Sequence, residues 1–98
     1  MSFTIKIEPD AQLDIQSGIT WYSEQRKGLG KKFHASVLEH IDGLKNHPHF
    51  EIRYDDLHCL PVKGYPYMIH FTIDNNTNVV SIRAVFHTSL DSDRWKDR

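Results

Sequence analysis

The apolar residues of this chain change their spacing once, and that change limits the folds open to it. From Ala11 to Leu44 they recur every three or four positions, and from Tyr67 to Phe86 they recur every second position. The first spacing belongs to helices that bury one stripe, the second to strands that bury one face. Helices followed by a run of strands indicate an α+β fold. The chain is 98 residues long, so a single domain over 1–98 with one modest core is expected.

Local signals sharpen this outline. Phe3-Thr4-Ile5-Lys6-Ile7 alternates apolar and polar and predicts a short N-terminal strand with Phe3, Ile5 and Ile7 inward. Glu8-Pro9-Asp10 starts a helix: proline suits the first turn, and Asp10 favours its positive end. Ala11, Ile15, Gly18 and Tyr22 continue it, with Gly18 read as a point of close packing against the next helix. Gly28-Leu29-Gly30 breaks the helix. A second stripe, Leu29, Phe33, Val37, Ile41 and Leu44, then predicts a helix that packs antiparallel on the first as a hairpin and ends at Asn46-His47-Pro48.

The remainder reads as a curved, mainly antiparallel sheet of three to four strands. Glu51–Tyr54 and Leu57–Val62 are strand pieces divided by a bend near Asp55-Asp56, and Lys63-Gly64-Tyr65-Pro66 is a turn. Tyr67–Ile73 and Val79–Thr88 flank the polar loop Asp74–Asn78. Strict alternation puts Tyr67, Ile69, Phe71, Ile73, Val80, Ile82, Ala84 and Phe86 toward the helices. It sends Met68, His70, Thr72, Ser81, Arg83, Val85 and His87 to the other face, which His58 and Lys63 could join.

That second face admits two readings. Histidines near neutral pKa can act as acid or base, and Arg or Lys can stabilise a developing phosphorane, which describes an RNA-cleaving site. The same residues also suit the solvated side of a half-buried sheet. No carboxylate clearly pairs with these histidines.

Several classes are disfavoured. The formal net charge is −1, from 12 basic and 13 acidic side chains, so the electrostatic drive of a nucleic-acid binder is lacking globally. Arg26, Lys27, Lys31 and Lys32 form a local basic tip that is either solvated or aimed at an acidic partner. His34, His40, His47 and His49 come without a CxxC or HExxH motif, so neither a metal nor another cofactor is expected. The lone Cys59 is read as a small buried apolar residue in a reducing compartment. No run reaches the roughly 18 apolar residues of a membrane span, so a cytoplasmic location is expected.

Three motifs add a resemblance. Trp21-Tyr22-Ser23-Glu24-Gln25-Arg26-Lys27-Gly28-Leu29-Gly30 with Phe33 is similar to a helix–turn–helix with an aromatic pair and a Gly-x-Gly turn. Leu60-Pro61-Val62-Lys63-Gly64-Tyr65-Pro66-Tyr67-Met68-Ile69 resembles an "LP…FPY.I.Y" hairpin. Ala84-Val85-Phe86-His87-Thr88-Ser89, with Asp91 and Trp95 after it, resembles a closing "AVFH.SRDP..W" strand and tail. In this order they resemble the RelE/ParE superfamily of toxins from type II toxin–antitoxin (plasmid stabilisation) systems, the ParE branch above all.

The resemblance implies a cognate antitoxin that wraps and neutralises the chain in a hetero-oligomer. Its ParE branch implies a protein-binding toxin of DNA gyrase or another topoisomerase, without a catalytic residue. The working surface would then be His87, Asp91, Arg94 and Trp95. The alternative is a RelE-like mRNA endonuclease on the ribosome. There, His70 or His87 would be the acid or base, and Lys63 with Arg83 would hold the phosphate. Relatives tend to carry Arg at the positions of Leu90 and His58, and the loss of both fixed charges leaves a non-toxic antitoxin-binding module as a third reading.

Overall fold

The computed structural model describes residues 3–46 and 57–88, and of 52–54 the backbone. Strand β1 (Thr4–Ile7) leads into helix α1 (Pro9–Gln25) and helix α2 (Leu29–Gly43). Strands β2 (Ile52–Tyr54), β3 (Leu57–Pro61), β4 (Tyr67–Asp74) and β5 (Val79–His87) follow. They form one five-stranded sheet in the order β1-β5-β4-β3-β2. Only β1 runs parallel to its neighbour, with Thr4 opposite Val79 and Ile7 opposite Ile82. The α+β fold with a helical hairpin on a mostly antiparallel sheet is as the sequence predicts.

The helices form where the apolar stripes require them. Pro9 occupies the first turn of α1, and Ala11, Ile15, Gly18 and Tyr22 are its buried positions. Arg26, Lys27 and Gly28 connect the helices, and Gly28 stands at φ 84°, a left-handed conformation that glycine adopts without steric penalty. The break belongs to Gly28 alone, because Gly30 lies inside α2 and is buried. At Gly18 an added Cβ would fall 2.5 Å from Phe33 Cε2, so the absent side chain lets the helices close on each other. Helix α2 stops at Gly43, earlier than the Asn46-His47-Pro48 signal predicts. Residues 44–46 form a turn, with Leu44 N–H bonded to Ile41 O and Lys45 N–H to Asp42 O. Lys45 O in turn accepts from Phe3 N–H at 2.7 Å, tying the end of the hairpin to the start of β1. The bend at Asp55-Asp56 and residues His47 and Pro48 lie outside the described residues.

The core lies between the hairpin and one face of the sheet. Ala11, Ile15, Phe33, Val37, Ile41 and Leu44 meet Val62, Ile69, Phe71, Val80, Ile82 and Val85 there. One member was expected on the opposite face. Val85 is core, whereas Ala84 and Phe86 are buried without joining this cluster.

A one-residue bulge causes the exchange. His70 pairs with Ala84, but Phe71 pairs with Ile82, which leaves Arg83 as the extra residue on β5. Side-chain parity on β5 therefore reverses between its two halves. Directly opposite residues share a face. Val85 and His87 thus stand with Ile69 and Tyr67 on the helix side, and Ala84 and Phe86 with His70 and Met68 on the other.

Candidate functional site

The bulge separates the histidines that strict alternation had grouped. His70 is 1% exposed. Its Nδ1 lies 3.3 Å from Cys59 Sγ on the neighbouring strand, and its ring lies 5.5 Å from that of Phe86. Cys59, Ala84 and Phe86 are buried as well, so this part of the face is closed to water and is not the open polar surface expected. His87 is half-buried on the helix side, with its ring edge-on to Tyr67 at 5.3 Å. His58 also belongs to the helix side, because it pairs with Phe71 and stacks on its ring at 5.3 Å.

Burial sets the chemistry of the His70–Cys59 pair. Desolvation lowers the His70 pKa to about 4, against the opposing pull of the Asp14 carboxylate. Desolvation also raises the Cys59 thiol. Both groups are held neutral near pH 7, the opposite of a reactive thiolate–imidazolium pair. The reading of Cys59 as a buried residue stands, with His70 as a polar partner that the sequence reading did not identify.

Asp14 explains how the bulged half of β5 is held. Strand β1 ends at Ile7, and Glu8 N–H donates to Ile82 O at 2.9 Å as the chain turns into α1. Beyond that point, among the described residues, no strand pairs with β5 on that side. Val85 N–H instead donates to Asp14 Oδ2 on α1 at 3.1 Å. A helix side chain thus satisfies a backbone donor that the bulge turns away from the ladder.

The other predicted residues are scattered. Lys63 is exposed in the turn between β3 and β4, where Gly64 adopts φ 89°. Arg83 is half-buried at the bulge. These residues therefore do not converge on one face: His70 lies behind the sheet and His87 on the helix side, at the end of the sheet that also carries the Lys63 turn. Asp91, Arg94, Trp95 and Leu90 lie outside the described residues, as does His49. His34 is exposed on α2, and no cluster of three or more metal-ligating side chains occurs among the described residues. Among the same residues, no helix is long and apolar enough to cross a membrane.

Two features were not recognised as features from the sequence. One is a cluster of rings at the tip end of the hairpin. Tyr22 lies 5.0 Å from Phe33 and 5.4 Å from Tyr65, and Phe33 lies 4.8 Å from Tyr67. Burial, then the neighbouring Tyr67 and Tyr65, raises the pKa of the Tyr22 phenol. The exposed Arg26 and Lys27 follow within about one helical turn. The closely spaced aromatics of Tyr65-Pro66-Tyr67 were the available signal. The other is an apolar outer surface on the hairpin. Leu13 and Trp21, exposed on α1, line a shallow groove of about 370 Å³ with Gln16, Ser17, Thr20 and Glu24, and Leu38 is exposed on α2.

Comparison with known proteins places this arrangement. A search of curated proteins finds no match. A chain of a chromosomal ParDE toxin–antitoxin system from P. aeruginosa superposes with a TM-score of 0.74 at 13% identity, over 88% of this chain and 96% of that one. The isolated E. coli RelE toxin superposes with a TM-score of 0.67 at 10% identity, over 98% and 95%. A chain of the RelBE2 toxin–antitoxin complex from Mycobacterium tuberculosis gives a TM-score of 0.64 at 18% identity, over 89% and 99%. At these identities the superpositions establish the fold. The family model described as the ParE toxin of the type II toxin–antitoxin system parDE matches residues 5–91. With that match spanning both helices and the strands that pack on them, the chain belongs to the ParE toxin family of type II toxin–antitoxin systems, within the RelE/ParE superfamily.

Proposed function

We propose that the protein is a toxin that acts by binding DNA gyrase or another topoisomerase and that a cognate antitoxin neutralises it. The observation that carries this reading is the separation of His70 from His87. Acid–base cleavage of RNA needs its proton donor, its acceptor and its phosphate clamp around one scissile bond. Here His70 is buried and neutral on one face, His87 stands on the opposite face, and Arg83 occupies the bulge beside the His70–Ala84 pair, away from His87. A protein-binding mechanism needs no such convergence. It needs a docking surface, a role assigned to His87 at the end of β5 together with Asp91, Arg94 and Trp95, which lie outside the described residues.

The antitoxin is assigned to the outer surface of the hairpin. Leu13, Trp21 and Leu38 are exposed apolar side chains there, suited to the apolar stripe of a partner helix. Toxin and antitoxin then form a hetero-oligomer, acting in the cytoplasm where topoisomerases work.

The deciding experiment is a supercoiling assay with the purified chain and its cognate gyrase. Inhibition at micromolar toxin, relieved by antitoxin, is the expected result. Unimpaired supercoiling combined with codon-positioned cuts in translated mRNA would replace this reading with the ribosome-dependent endonuclease. The likeness of the fold to RelE makes that the second reading.

A further inference from the structure

His40 stands near the end of α2, half-buried, and both of its ring nitrogens are engaged. Nδ1 lies 2.6 Å from the Ser36 carbonyl oxygen, one turn earlier on the same helix. Nε2 lies 3.1 Å from the backbone nitrogen of Lys63, in the turn between β3 and β4. A carbonyl oxygen can only accept and a backbone N–H can only donate. The partners therefore fix the tautomer: Nδ1 carries the proton, and Nε2 carries the lone pair that receives Lys63 N–H. Only neutral imidazole can make both bonds.

The second bond links segments 23 residues apart in sequence. Among the turn's other backbone bonds, Val62 N–H to Tyr67 O, Tyr65 N–H to Val62 O and Tyr67 N–H to Tyr65 O run within the hairpin, and Thr88 N–H to Pro66 O joins it to the end of β5; none of these reaches a helix. His40 is thus a direct polar tie from this turn to a helix. The turn it holds presents the exposed Lys63 and sets Tyr65 against Tyr22 and Phe33, at ring distances of 5.4 and 5.3 Å.

We propose that His40 is a proton-operated latch on the β3–β4 turn. Neutral His40 holds the turn against α2. A proton taken up from solvent has only Nε2 to occupy, where it removes the acceptor and sets one N–H against another. The turn is then released, and the geometry in which Lys63 and Tyr65 are presented to any partner is loosened. The titratable or charged side chains that accompany His40 on the two joined segments are Lys63 and Tyr65 on the turn and Lys31, Lys32, His34, Glu39 and Asp42 on α2. Asp42 is paired with Lys45 at 2.8 Å.

The test is nuclear magnetic resonance on the isotope-labelled full chain, titrated from about pH 8 to about pH 5. At the upper end the ring nitrogens of His40 should show the Nδ1–H tautomer. On acidification the Lys63 amide should move upfield with the midpoint of the His40 ring. Its exchange, corrected for intrinsic rate, should rise on the order of tenfold, the equivalent of one ordinary hydrogen bond. The Ile69 amide in the core serves as the control for global opening. In His40→Ala the Lys63 amide should be unprotected and flat with pH. An Nε2–H tautomer in the wild type, a Lys63 amide that ignores the His40 titration, or one that still titrates in His40→Ala overturns the proposal. If His40→Ala does not fold, the wild-type tautomer and the match of the two midpoints decide it.

Discussion

Val79–Ile82 runs beside β1, and its side chains keep the alternation written in the sequence: Val80 and Ile82 are core. Ala84–His87 continues the same strand with similar residues, yet its parity is reversed, so Val85 is core and Phe86 lies behind the sheet. The first half is held by a backbone ladder on both sides. The second half keeps β4 on one side and, on the other, donates a hydrogen bond to the side chain of a helix residue, Asp14. What differs between them is one extra residue, Arg83. Alternation therefore specifies which residues share a face only up to an insertion, and beyond it the partners decide.

The most severe way to break the contrast is to place a charge at Val85. Strict alternation would send this side chain away from the helices, whereas the bulge puts it in the core. A carboxylate buried there without a partner should destabilise Val85→Asp by about 4 kcal/mol or more. Chemical denaturation of the variant reads this directly. A variant within about 1 kcal/mol of the parent would show that the two faces beyond residue 83 are interchangeable, and the contrast would lose its meaning.

Acid probes the bulged half through His70, the partner of Ala84 across the ladder. Its folded pKa is about 4, while an unfolded histidine titrates near about 6.5. Between those values the unfolded chain binds a proton that the folded chain refuses, so stability falls as pH falls. The contribution is fully present above about pH 6.5, declines through the window and flattens below about pH 4, with a ceiling of about 3 kcal/mol. His70→Leu should remove this dependence. Denaturation midpoints of the parent and His70→Leu, compared across the window, should therefore diverge at the neutral end and converge toward acid when each is scaled to its own acid limit. Curves that stay parallel would show that His70 does not carry the loss.

The same contrast explains what could be read from the sequence. Helical spacing placed Phe33, Val37 and Ile41 in the core, and alternation placed Ile69 and Phe71, because each element keeps one register throughout. The close approach at Gly18 was also legible, since a glycine inside an apolar stripe has few other uses. Beyond Ile82 the pattern becomes three consecutive apolar residues, Ala84-Val85-Phe86, and such a run fits either parity. The grouping of His70 with His87 rested on the parity that failed. Contacts between distant segments, such as Asp14 with Val85 and His40 with Lys63, carry no local periodicity at all. They depend on where a helix comes to rest on the sheet, which no spacing within either segment encodes.

The smallest effect is expected at the tie itself. In Asp14→Asn the amide oxygen can still accept from Val85 N–H, but the bond loses its ionic character, and about 1 kcal/mol should go with it. Asp14→Ala leaves the donor without that acceptor and should lose about 2 kcal/mol. Amide exchange should localise the damage. Val85 N–H should exchange faster in both variants, while the amides of Val79–Ile82, held by β1 and β4, keep their protection. Equal acceleration along the whole strand would mean that the two halves open as one unit. The substitution also reaches His70, because the Asp14 carboxylate opposes the desolvation that lowers its pKa. Removing that charge should push the folded His70 pKa lower still, extending the acid-sensitive window at its acid end. The neutral end stays fixed by the unfolded chain, so a shift confined to the acid side separates this electrostatic effect from the loss of the hydrogen bond.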